Sequence, residues 1–101
     1  MSARAQAGQE NFRLKVRTGI NFTQNPPTAP AIQYRYKGIE PIVELTAAVT
    51  TGQEALGEIY HDFSTQSPVP AAGMYKVRAK LTISGKLVYS ESAEWVIGDL
   101  Q

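Results

Sequence analysis

The chain has no cysteine, which excludes disulfides, thiolate metal sites and cysteine nucleophiles together and leaves packing to hold the fold. Histidine occurs once, at His61, and aspartate only at Asp62 and Asp99. With no HxH spacing and no calcium-loop pattern, no metal or other cofactor is expected. No apolar run approaches the ~20 residues that cross a bilayer, and the best stretch, residues 42–49, carries Glu44. The first nine residues hold one positive charge with no apolar stretch behind it, so no secretory signal and synthesis in the cytoplasm are expected. A net charge of +1 gives no overall attraction to nucleic acid or to an acidic membrane. No glycine-rich phosphate loop is present either, since Gly52 and Gly57 stand alone.

What is present is one domain's worth of chain, 101 residues with 43% hydrophobic and 19% charged content, too short to divide into two cores. Residues 1–10 are rich in Ala, Gln, Gly and Ser without a period and read as a flexible N-terminal arm, with the folded domain over 11–101. From Phe12 the pattern alternates: Phe12, Leu14, Val16, Ile20 and Phe22 on one parity, Arg13, Lys15 and Arg17 between them. Residues 23–30 hold three prolines and read as a stiff loop. Ile32, Tyr34 and Tyr36 resume the alternation, Lys37-Gly38 reads as a turn, and strands are expected over 41–49 and 56–63. The loop at 64–73 carries two more prolines. Last, Tyr75, Val77, Ala79, Leu81 and Ile83 alternate with Lys76, Arg78, Lys80 and Thr82. After Ser84-Gly85-Lys86, Leu87, Tyr89, Ala93, Trp95 and Ile97 follow on one parity, as in a β-hairpin. Strands that are apolar on one face must bury that face, so the expected fold is all-β, an Ig-like antiparallel β-sandwich of six to seven strands, with a small barrel as the alternative.

Little here resembles catalysis. His61 and Asp62 are neighbours on a strand and point to opposite faces, so His61 reads as structural and not as half of a dyad. The glutamates could supply a carboxylate pair, but a small sandwich has little room for the deep cleft such a pair needs. No enzymatic activity and no small-molecule substrate are expected. Asn21-Phe22-Thr23 matches the glycosylation acceptor pattern and Pro27-Thr28-Ala29-Pro30 a budding-recruitment peptide. Both are short enough to arise by chance and read as ordinary loop sequence.

Charge placement says more. Arg13, Lys15, Arg17, Arg35, Lys37, Lys76, Arg78 and Lys80 alternate with apolar residues, so they belong on outer faces. The acids, among them Glu44, Glu58 and Glu94, fall mainly in other segments. A two-sided charge distribution is therefore expected, suited to contact between copies through opposite faces, and these eleven residues are the candidate assembly contacts. Simple solvation of both faces is the alternative. Nucleic-acid binding is not expected, because Tyr34, Tyr36 and Tyr75 fall on the core parity and leave no exposed stacking platform among the cations.

The run from Gly73-Met74-Tyr75 through Ser84-Gly85-Lys86-Leu87-Val88-Tyr89-Ser90 to Glu94-Trp95-Val96-Ile97 resembles the closing hairpin of Ig-like domains in bacteriophage virion proteins. Those of baseplate upper proteins, tail fibres and capsid decorations share its glycine-aromatic start, alternating strand, Gly-Lys turn and returning aromatic strand. The resemblance covers the last quarter of the chain by motif and the rest by strand rhythm. The proline-rich loop after the first strand departs from it, as does the expectation of a stand-alone chain. It implies a non-enzymatic structural component of a phage virion, located in the virion, such as a decoration, neck or baseplate subunit. Other virion proteins, including copies of itself, would be its partners, with no nucleic acid and no membrane. The rival reading is a carbohydrate-binding or adhesion module of a bacterial surface, stacking sugars on Tyr60, Tyr89 or Trp95. The parity of Trp95 places it in the core instead.

Overall fold

The computed structural model describes residues 5–37, 39 and 41–98. Alternation at the start of the domain forms β1 (Phe12–Arg17). It pairs antiparallel with β5 (Glu58–Phe63), Leu14 opposite His61 and Val16 opposite Ile59. The far side of β5 pairs with the two-residue β4 (Ala48–Val49), which completes a three-stranded sheet. The second sheet is larger. Its order is β3 (Val43–Thr46), β2 (Thr28–Tyr36) and β6 (Gly73–Ile83), with β7 (Lys86–Tyr89) and β8 (Ala93–Ile97) sharing the far edge of β6. The fold is all-β, an antiparallel two-sheet sandwich, with Ile32, Ile59, Ala79, Leu81, Phe63 and Val77 buried between the sheets.

Among the described residues eight strands arise where six to seven were expected, because two continuous runs are interrupted. At Ala47 the chain leaves the larger sheet and enters the smaller one, so β3 and β4 are one run that crosses the sandwich and closes that side. The crossing is tied on both flanks: Ala47 N donates to the Pro30 carbonyl at 3.1 Å, and His61 Nδ1 lies 2.7 Å from the Thr46 carbonyl.

The second interruption corrects the expected parity of the last strand. The β6 to β7 register runs from Ile83 opposite Lys86 to Lys80 opposite Tyr89, and the β6 to β8 register from Val77 opposite Ala93 to Gly73 opposite Ile97. One extra residue therefore sits in the returning strand, a β-bulge that turns every later side chain to the opposite face. Ser90 makes the bulge possible. Its N–H donates to the Ala79 carbonyl (3.0 Å), while its Oγ accepts the Ala79 N–H (2.8 Å). Leu87 and Tyr89, expected inside with Trp95, consequently lie outside, 54% and 44% exposed. Trp95 itself packs half-buried among Phe12, Phe63, Tyr34 and Tyr75, with centroid separations of 5.8–6.4 Å.

Two further boundaries differ from expectation. Thr28, Ala29 and Pro30, read as loop, begin β2: Ala29 takes a positive φ of 48°, the register with β6 shifts between Thr28 and Ala31, and the Pro30 carbonyl still accepts from Ala47. A proline lacks only the donor, so it fits a bulged strand start. Leu56 does not begin β5. It ends a short 3-10 turn (Glu54–Leu56) that stops at Gly57, whose φ of 67° breaks any strand there. Of the expected N-terminal arm, residues 1–4 lie outside the described residues. Ala5 is buried, Ala7 N donates to the Gly98 carbonyl, and Gly8 N donates to that of Val69. Gly38 of the expected turn lies outside the described residues too, while Lys37 beside it has a φ of 50°.

Candidate functional site

Apart from Lys37, which lies in the turn after β2, the candidate contacts fall on the outer faces of both sheets, and the strand register pairs many of them with one another. On the smaller sheet Arg13 stands opposite Asp62, and its Nε and Nη2 donate to Oδ1 and Oδ2 at 2.7 and 3.0 Å. This two-pronged hydrogen bond from Arg13 holds the Asp62 carboxyl below the usual carboxylate range. Arg13 Cζ also lies 4.0 Å from the Tyr60 ring centroid. Arg17 stands opposite Glu58 and donates to its Oε1 at 3.0 Å. Glu58 is only 2% exposed although it borders an outer face. Burial pushes its carboxyl up, but the hydrogen bond from Arg17 and the charge of Lys15 pull harder, and the net direction is down.

The larger sheet carries a connected polar group at its centre. Gln33 is buried between Glu44 and Arg78, its partners on β3 and β6. Arg78 Nε donates to Gln33 Oε1 and Gln33 Nε2 to Glu44 Oε1, each at 2.9 Å, and Lys80 Nζ reaches the same Glu44 oxygen at 3.0 Å. Hydrogen bonds from Gln33 and Lys80 lower the Glu44 carboxyl. Arg78 lies over the Tyr89 ring at 4.0 Å. Apolar side chains flank this group: Met74 opposite Val96 at one end and Leu87 at the other, all exposed. Arg35 stands directly opposite Lys76, and Lys76 opposite Glu94. Two like charges facing each other across strands are unfavourable unless an anion or an acidic partner joins them.

The expected separation of a basic from an acidic face is therefore not kept. Asp62 and Glu58 of β5 stand across from Arg13 and Arg17 of β1, and Glu44 of β3 meets Lys80 of β6 across the intervening β2; this registration could not be read from chain order. Of the candidates, Arg13, Arg17, Lys80, Glu44 and Glu58 join ion pairs, and Arg78 is held by Gln33. Among the described residues no ion pair involves Lys15, Arg35, Lys37, Lys76 or Glu94. Lys37 lies over the Tyr36 ring at 5.2 Å.

His61 and Asp62 face opposite sides. Asp62 joins Arg13 outside, whereas the His61 ring stands edge-on to Phe63 at 4.8 Å with Nδ1 on the Thr46 carbonyl. A shallow cleft of about 310 Å3 lies alongside, lined by Thr46, Ala47, Ala48, Tyr60, His61 and Asp62. Among the described residues no group of three or more His, Asp or Glu side chains could hold a metal, and no helix is long and apolar enough to cross a membrane. Tyr34 and Tyr75 lie on the core face, whereas Tyr60 and Tyr89 lie outside, each with a guanidinium over its ring.

Comparison with protein-family models, with curated proteins and with solved structures gives no match to this chain.

Sequence reasoning placed Tyr89 and Leu87 inside, and it left Gln33, which alternates outward, out of the candidate contacts. Gln33 lies in an ordinary alternating strand, and only the register reveals that it joins Glu44 to Arg78. Tyr89 and Leu87 had a readable signal: three consecutive polar residues, Ser90-Glu91-Ser92, interrupt the alternation where the bulge falls.

Proposed function

We propose that this chain is an Ig-like structural module of a bacteriophage virion, a non-enzymatic subunit that binds other virion proteins, copies of itself included. Nucleic acid, membrane and small-molecule substrates are not its partners. The observation that carries this reading is the outer face of the larger sheet. There, Arg78, Gln33 and Glu44 are ordered in advance beside exposed Tyr89, Leu87, Met74 and Val96. A protein contact uses that combination, because an arginine and a tyrosine already fixed lose little rotamer freedom on binding while the apolar rim supplies buried area.

The Ig-like topology is supported by three features. The sheets run β1-β5-β4 and β3-β2-β6 with β7 and β8 along the far edge of β6, Gln6 bridges Gly98 in parallel beyond the last strand, and Tyr75 OH donates to the Ala71 carbonyl at 2.7 Å. That last bond ties the start of β6 to the loop before it, as the tyrosine corner of such sandwiches does. The virion assignment is supported by the resemblance of the 73–97 hairpin. Against the adhesion reading, Trp95 is packed among four aromatic rings, and Tyr60 and Tyr89 each have one face occupied by arginine.

Mass spectrometry of purified particles made from the genome that encodes this chain tests the proposal. The chain should be present in many copies per particle, and particles that lack it would refute the reading.

A further inference from the structure

One side of the sandwich is closed by the crossing at Ala47, and the other is bordered by β1 and β8, the edge strands of the two sheets. Thr18 N donates to the Gly57 carbonyl at 2.9 Å, which continues the β1 to β5 register. Even-numbered residues of β1 thus bond to β5, and the N–H and C=O groups of Arg13, Lys15 and Arg17 are directed away from it. On β8 the phase is set by Gly98, whose N–H donates to Ala5 (3.0 Å) and whose carbonyl accepts from Ala7 (2.9 Å). Glu94 and Val96 share its outward phase. Among the described residues no backbone group bonds to these outward groups of β1 or to Glu94 and Val96.

Between the two edges lies a cleft of about 230 Å3. Leu14, Val16, Val77, Ala93 and Trp95 line it, with Lys15 and Arg17 along one wall and Glu91 and Glu94 along the other. An apolar floor between two rows of unpaired main-chain groups suits an extended strand, which satisfies the edges while alternate side chains fill the floor. One end of this track is already occupied in that manner, because residues 5–7 run parallel to β8 at Gly98.

We propose that the cleft is a strand-acceptor site for an extended segment of a partner protein, about five residues long, lying between β1 and β8. Residues entering the floor are small and apolar. Those facing outward are polar and uncharged, because the two walls carry opposite charge and a charge of either sign would be repelled by one of them. This surface is separate from the outer face of the larger sheet and does not rest on the virion reading.

The test titrates the full chain with a blocked six-residue peptide alternating valine and serine, followed by amide NMR and Trp95 fluorescence. Saturable shifts of the Lys15, Arg17 and Glu94 amides are expected, with a blue shift of Trp95 emission. Ala93→Leu, which fills the floor, and Lys15→Pro, which removes an outward N–H that β5 does not use, should each weaken binding tenfold or more. Circular dichroism confirms that each variant is folded. No saturable shift at millimolar peptide overturns the proposal, as does binding that leaves those amides unmoved or survives both variants. Shifts of the same amides with protein concentration alone would assign the cleft to a second copy and overturn a separate partner. Protection of these amides in dilute protein without peptide would assign it to the chain's own first residues, with the same consequence.

Discussion

Replacing Gly57 by alanine isolates the cost of one close approach of backbone to backbone. Gly57 has a φ of 67° and ends the short helical turn before β5. A Cβ built there would run into the Ile20 carbonyl and the Thr18 hydroxyl. The segment it would strike is held by backbone bonds: Thr18 N to Gly57 O, Gly19 N to Leu56 O, and Phe22 N to Glu54 O at 2.8 Å, with the Phe22 side chain buried below. The carbonyl therefore cannot move aside without breaking that docking. The left-handed conformation alone costs a non-glycine residue about 1 kcal/mol, and forcing extra volume into a packed site adds about 1–3 kcal/mol. Gly52 provides the control, because its φ is 86° and a Cβ there meets nothing within 4 Å. Gly52→Ala should cost about 1 kcal/mol and Gly57→Ala about 2–4 kcal/mol, read as a shift in urea midpoint at constant slope. For a chain of this size each kcal/mol lowers Tm by roughly 4–8 °C. Equal losses in the two variants would refute the argument that the 18–22 segment is pressed against Gly57.

Three further outcomes are expected. Ser90→Ala removes the acceptor for the N–H of fully buried Ala79, and urea titration should register a loss of about 1–3 kcal/mol. Because Glu44, Glu58 and Asp62 are lowered in the folded state, their stabilisation is complete above the unfolded carboxylate pKa and is lost as pH falls through their lower folded values. Tm measured against pH should therefore drop from about pH 4 downward, and Glu58→Gln should flatten that slope while lowering stability at neutral pH. Trp95 emission should be blue-shifted relative to a water-exposed indole and unchanged by added glycans; a glycan-dependent shift would favour the adhesion reading.

Much of the fold was legible because a strand's period of two is written directly into residue order. Buried Leu14, Ile32, Val77, Ala79 and Leu81 all fall where alternation predicts, since a sheet with one covered face admits apolar side chains on that face only. That His61 and Asp62 face opposite sides followed from the same geometry, as neighbouring strand residues cannot share a face. The candidate cations likewise fell outside the core for that reason.

Register was decided by the tertiary structure alone. Alternation says that Arg13 and Asp62 are both outward but not that they stand opposite each other, because the pairing of β1 with β5 depends on how the intervening chain crosses the sandwich. A single bulge at Ser90 then reversed Leu87 and Tyr89, since inserting one residue into a period of two inverts every later position. The central outer-face group of Gln33, Glu44 and Arg78, drawn from three strands, exists only once those strands are side by side. Local sequence thus determined which residues could be inside or outside, while long-range pairing determined which of them meet.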